Sequence, residues 1–224
     1  MTEPIALSGS MPLRADDFFC RVRERFSLEV PAALTDPNIL PRRGDHDVDP
    51  VMRAIAAVRP IKPAAVLVPI IAREQPMVLF TQRTAHLKDH AGQISFPGGK
   101  IDATDASPAA AAMREAFEEV GLEPHLIEPV GYLDLYMTTL GYRIVPTIAR
   151  VAPAFHLKLN RHEVDDAFEV PLAFLMTPEN HKLHSRDWNG LTRTFYAMPY
   201  GERYIWGATA GILRNLYEQV YGAP

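Results

Sequence analysis

Glu115, Glu118 and Glu119 are the residues of this 224-residue chain whose types and spacing most directly imply chemistry. On a helix turning about 100° per residue they fall within an arc of roughly 100°, because positions three and four apart are surface neighbours. Like charges so placed repel by a few tenths of a kcal/mol per pair, and a helix C-terminus adds about half a negative charge nearby. Arg114, one turn before Glu118, offsets one carboxylate. A hard dication that takes oxygen ligands, such as Mg²⁺, would offset the rest. Upstream, Arg83, His86, Lys88, His90 and Lys100 lie close in sequence to Gly98 and Gly99. Cations beside glycines, whose backbone lets a ligand approach closely, suit a phosphate. In a chain of net charge −4 they supply the local positive charge an anionic substrate needs.

The helix that must carry the glutamates is marked at both ends. Ser107 is its expected N-cap, Pro108 its first residue and Gly121 the residue past its end. Ala109, Ala112, Met113, Ala116, Phe117 and Val120 form an apolar stripe on the arc opposite the glutamates, predicted to pack on a sheet.

Around that helix the chain alternates strand and helix patterns. Asp16 to Phe26 reads as a short amphipathic helix with Phe18, Phe19, Val22 and Phe26 on its apolar side. Six prolines between Ser27 and Pro63 predict an extended connector around one short helix at Val51 to Ala57. Ala64 to Ala72 and Met77 to Arg83 are aliphatic strands at hairpin spacing, and Pro129 to Tyr136 with Tyr142 to Val151 form a second such pair. Asn189-Gly190, between Leu183 to Trp188 and Leu191 to Met198, is a strong hairpin signal. A helix from Gly207 to Tyr221 closes the chain. These elements predict an α/β fold, a mixed sheet sandwiched between helices, with residues 1–60 as a helix and connector appended to a domain at 61–224.

Composition narrows the function. An isoelectric point near 6.1 argues against a nucleic-acid binder, which shows a basic excess. No apolar run approaches the roughly 20 residues of a membrane helix, the N-terminus lacks a secretory signal pattern, and a lone Cys20 excludes an internal disulfide framework. The expectation is a cytoplasmic protein with no membrane or nucleic-acid partner; a homodimer is compatible with it. His181 and His184 have a metal-site spacing without a nearby third ligand.

Gly99, Arg114, Glu115, Glu118, Glu119, Gly121 and Leu122 match the Nudix box, G, five residues, E, seven residues, then REUxEExGU with U aliphatic. Asp105 stands at the first Glu position, eight residues precede Arg114, and Ala116 is at the first U. The run Leu79 to Gly99, LFTQRTAHLKDHAGQISFPGG, resembles LLTxxSxxxRxxxGxxxFPGG of the coenzyme A pyrophosphatase subgroup, with Phe80, Thr84 and Lys88 as replacements. Glu163 to Leu172 looks like that subgroup's later acidic segment. The resemblance implies a Nudix fold and Mg²⁺- or Mn²⁺-dependent hydrolysis of coenzyme A or acyl-coenzyme A to 3′,5′-ADP and (acyl-)4′-phosphopantetheine. It implies Glu118 and Glu119 as main metal ligands, Glu115 as ligand or base, Gly98 as a carbonyl ligand, Arg114 holding a glutamate, and Glu163 as a further base or ligand. Arg83, Lys88, Gly98, Gly99 and Lys100 would bind substrate, with Arg83 and Lys88 expected on the 3′-phosphate. The alternatives are a Nudix hydrolase of another nucleoside diphosphate derivative, a dinucleotide or nucleotide sugar, and a non-catalytic Nudix-fold binding module.

Overall fold

The computed structural model describes residues 13–86, 92–188 and 190–222. In chain order its helices and strands are α1 (Ala15–Arg25), β1 (Arg43–Gly44), α2 (Val51–Ala57), β2 (Lys62–Ile71), β3 (Met77–Arg83), β4 (Ile94–Ser95), β5 (Gly98–Lys100), α3 (Pro108–Val120), β6 (Ile127–Tyr132), β7 (Tyr136–Met137), β8 (Tyr142–Val151), β9 (Val164–Pro171), α4 (Leu172–Leu175), β10 (Lys182–Trp188), β11 (Leu191–Tyr200), β12 (Arg203–Trp206) and α5 (Ala208–Tyr221). The architecture is α/β, a mixed sheet with flanking helices.

The main sheet runs β1-β7-β8-β2-β3-β4, with β5 on β2, β6 on β8 and β9 on β3. Its spine is the parallel pair β2 and β8, in register from Lys62↔Tyr142 to Ile71↔Val151. On its other edge β2 changes partner, pairing with β5 through Ala64 to Val66 and with β3 through Ile70 and Ile71. Leu67 donates its N–H to the Pro97 carbonyl on that edge, and residue 69 points the same way. Pro69 therefore lacks its N–H at the gap between partners, which is how a proline is tolerated in a central strand. The expected β2–β3 hairpin is real but holds only two residue pairs, because β5 takes the same edge of β2 at Ala64 to Val66 and β4 that of β3 at Thr81 and Gln82.

Alternation along β2 feeds two cores. Ala65, Leu67 and Ile71 pack with Ala111, Ala112, Ala116 and Val120 of α3. Val68 and Ile70 share the opposite core with Phe18, Phe19 and Val22 of α1 and Leu213, Leu216 and Val220 of α5. Burial of Phe18 and Phe19, 1% and 0% exposed, contributes about 1.5–3 kcal/mol each. The connector is tied down as well: Asp45 accepts from the Tyr136 hydroxyl at 3.1 Å and the Thr139 N–H at 2.9 Å, and buried Arg143 donates to the Ala33 and Asp36 carbonyls.

Two expectations need correction. The C-terminal strands do not join the mixed sheet; β10, β11 and β12 form a separate antiparallel sheet whose Met198 and Ile205 enter the core shared by α1 and α5. Strand alternation fixes which face is apolar, not which sheet the strand joins. The strand expected at Pro129 to Tyr136 is split into β6 and β7, with Leu133 to Leu135 between them. No helix among the described residues is long and apolar enough to cross a membrane.

Candidate active site

Helix α3 begins and ends as its caps dictate. The Ser107 hydroxyl accepts from Ala110 N at 3.1 Å, and Gly121, at φ 70°, donates to the Phe117 carbonyl at 2.9 Å. Its faces are not divided as the stripe predicts. Phe117 is 47% exposed, whereas Glu119 is 3% exposed, because the buried arc is centred on Ala112 and Ala116 and runs on to residue 119. One carboxylate is thereby driven into the apolar layer under the sheet. Glu115 is half-buried and Glu118 exposed.

Arg114 does more than offset one charge. Its Nε and Nη2 grip Asp105 in a fork, each at 3.1 Å. Nη1 donates to Glu115 at 3.0 Å and Glu118 at 3.1 Å, and Nη2 also reaches the Lys100 carbonyl at 3.2 Å. Asp105, read from sequence only as a departure from the box, is thus the residue that anchors Arg114. The shorter side chain is compensated by a tight turn in which Asp102 N–H donates to Asp105 Oδ2 at 2.8 Å. The Arg114 hydrogen bond holds the Asp105 carboxyl below its ordinary range and raises Arg114 in return.

Three other segments close on Glu119. Strand β5 brings Gly98, whose N–H donates to the Glu119 carboxylate; the end of β3 brings Arg83; the turn before β9 brings Glu163. The proton on Glu119 is held up to about 8, first by burial, then by the charge of Glu115 and, more weakly, of Glu163, with Arg83 and the Gly98 N–H opposing. Burial also raises Glu115, against the pull of Arg114. Glu119 Oε2 is buried with no hydrogen-bond partner, and so is Arg83 Nε. Among the described residues no three acidic or histidine side chains enclose an ion as they stand, since Arg114 holds the carboxylates of Glu115 and Glu118. A buried, unpartnered carboxylate oxygen among further carboxylates fits a hard dication, and the guanidinium of half-buried Arg83, its Nε unpartnered, fits an anion. Together they are complementary to a metal-bound phosphate.

Of the other residues singled out from sequence, Lys100 is exposed and contributes its carbonyl to Arg114, and His86 is exposed. Lys88 and His90 lie outside the described residues. His181 and His184 stand apart, one against the Leu175 carbonyl at 2.7 Å and the other on the Tyr204 hydroxyl at 2.6 Å.

The two glycines act differently. A Cβ on Gly98 would sit 2.5 Å from the Ala65 carbonyl oxygen and 2.6 Å from Val66 Cα, whereas one on Gly99 would meet the Glu115 carboxylate at 2.5 Å. The first clash is with backbone, the second with the movable end of a side chain. Gly98→Ala is therefore expected to destabilise the fold by about 2–4 kcal/mol. Gly99→Ala should leave the melting temperature within a few degrees and lower turnover roughly 10- to 100-fold by displacing Glu115. Thermal melts and rates on both variants check this; equal melting temperatures would show that β5 yields at Gly98.

A NUDIX domain model matches residues 61–191. The uncharacterized Nudix hydrolase NudL of Escherichia coli (strain K12) is 40% identical over 161 residues, 72% of this chain and 84% of the relative. Its counterpart in Enterobacter sp. (strain 638) is 37% identical over the same length. The NUDIX domain of Shewanella oneidensis NrtR, solved with ADP ribose, superposes with a TM-score of 0.43 at 19% identity, covering 73% of this chain and 88% of that one. With the domain match spanning more than half of the chain and containing the helix, the glycine strand and the arginine just described, this protein belongs to the Nudix hydrolase family.

Proposed function

We propose that this Nudix pyrophosphohydrolase acts on coenzyme A and acyl-coenzyme A, yielding 3′,5′-ADP and 4′-phosphopantetheine or its acylated form. The observation that carries this reading is where the coenzyme A-type motif lies: Leu79 to Gly99 supplies both Arg83 and the Gly98 N–H to Glu119. The segment that resembles a substrate motif is thus built into the acidic site.

Nudix hydrolases generally use divalent metal ions, and Glu115, Glu118, Glu119 and the Gly98 carbonyl would hold Mg²⁺ or Mn²⁺ here. Such an ion, when bound, neutralises charge on the phosphates and makes water a better nucleophile. Arg114 holds Glu115 and Glu118 by ion pairing on that side of the helix, and the ion would compete with it for their oxygens. Glu163, exposed at the mouth of the site, accepts the proton of the attacking water. Arg83 grips the pyrophosphate rather than the remote 3′-phosphate, because its charge acts directly on Glu119. Lys100 contributes at the rim, and Gly99 leaves the space Glu115 occupies.

Chromatography of Mg²⁺ reactions with coenzyme A, acyl-coenzyme A, NADH and ADP-ribose tests the proposal. 3′,5′-ADP from the coenzyme A compounds should appear fastest. Preferential cleavage of NADH or ADP-ribose would assign another nucleoside diphosphate derivative, and no turnover at all would favour a binding module. Arg83→Gln removes a charge-assisted contact of about 1.5–3 kcal/mol. It should lower kcat/KM roughly 10- to 100-fold on coenzyme A and dephospho-coenzyme A alike. A loss confined to coenzyme A would return Arg83 to the 3′-phosphate.

A further inference from the structure

The domain match ends at residue 191, and β12 lies beyond it. From β12, Arg203 reaches back to the main sheet, its Nη1 donating to Gln82 Oε1 at 2.6 Å and its Nη2 to Asp166 Oδ2 at 2.5 Å. Gln82 and Asp166 are the last regular pair between β3 and β9. The register then shifts, so that Arg83 pairs with Val164. Immediately past that irregularity Thr84 N–H donates to the Glu163 carbonyl at 3.0 Å. Arg203 thus clasps both strands at the pair beside the irregularity, one residue from Arg83 and three from Glu163. The same guanidinium lies 4.2 Å from the centre of the Phe168 ring. Phe168 stacks on Phe80 and Phe80 on Phe96, and Phe96 leads through Pro97 into Gly98.

We propose that Arg203 is a positioning residue for the hydrolytic site, holding the β3–β9 irregularity that aims Arg83 and Glu163 at Glu119. A one-residue slip of strand register carries side chains to the opposite face of a sheet, and bulges re-aim side chains next to active sites. A bidentate arginine across the last regular pair fixes that register with a geometry no single-point cation reproduces. The separate sheet of β10 to β12 therefore has a role in the reaction besides covering the core. The inference rests on Nudix hydrolysis and not on coenzyme A as the substrate.

The test uses the full chain with Mg²⁺ and whichever of coenzyme A, ADP-ribose and NADH the unaltered enzyme turns over fastest. Arg203→Met keeps the stem over Phe168 and removes both hydrogen bonds. It should lower kcat about 10- to 100-fold with KM changed less than threefold, and Arg203→Lys should recover part of the loss. In an Arg83→Gln, Glu163→Gln double background the same change should cost less than threefold, because both residues it positions are already gone. Independently of activity, amide hydrogen exchange at Arg83 and Thr84 should accelerate at least about tenfold in Arg203→Met. A kcat within twofold of the unaltered enzyme, a loss that simply multiplies with that of the Arg83→Gln, Glu163→Gln double change, or unchanged exchange would each overturn the proposal. If Arg203→Met does not fold, Asp166→Asn removes the ion pair from the other side and is read in the same way. Turnover of ADP-ribose without coenzyme A would end the coenzyme A reading and leave that of Arg203 standing.

Discussion

Turnover of Glu119→Gln is expected to fall by about 10³-fold or more, roughly 4 kcal/mol of transition-state stabilisation, with the fold retained. The substitution preserves shape while removing the charge of the most buried carboxylate on α3. Glu119 Oε2 has no hydrogen-bond partner and a glutamine carbonyl still accepts from the Gly98 N–H, so what is chiefly lost is the capacity to hold a dication. Steady-state rates with Mg²⁺ and a far-ultraviolet spectrum settle the matter together. An active Glu119→Gln with an unchanged requirement for metal would show that this helix is not where the ion acts.

The second large effect is on stability. Glu119 is held up to about 8 from 4.5, so the folded chain binds that proton more tightly than the unfolded one. The resulting stabilisation is fully present below about pH 4.5 and is lost as pH rises toward 8. For a shift of this size the loss is on the order of 4–5 kcal/mol, and Glu115, also raised by burial, acts in the same direction. Asp105 acts oppositely, since its pKa is lowered; its contribution is lost only at pH values below this window. In chelator the melting temperature should therefore fall between pH 5 and 8.5. Glu119→Gln should flatten that fall and exceed the unaltered chain at the alkaline end, and Mg²⁺ should restore more at pH 8 than at pH 5. A melting temperature that rises across the window, untouched by Glu119→Gln, would mean that fixed partners satisfy the carboxylate.

Much of this was legible in the chain itself. The bounds of α2 and the caps of α3 follow from local rules, a serine hydroxyl for an open N–H and a glycine for a left-handed residue. The grouping of Glu115, Glu118 and Glu119 with Arg114 follows from helical spacing, and the glycines beside them from the family pattern. Residues within one turn of each other share their geometry whatever the rest of the chain does.

What sequence could not supply was depth and partnership across the chain. Spacing places three glutamates on one face, but only packing against β2 buries Glu119 and leaves Glu118 in water. Asp105 looks like a defect in a pattern until its turn brings it under Arg114, and Arg203 carries no motif at all. Its meaning arises from Gln82 and Asp166, which are 121 and 37 residues away. Local stereochemistry determined the elements and the chemical types on the site. The burial of one carboxylate and the tie from the last sheet to the first were decided by tertiary structure, because desolvation and long-range pairing depend on neighbours that no local spacing specifies.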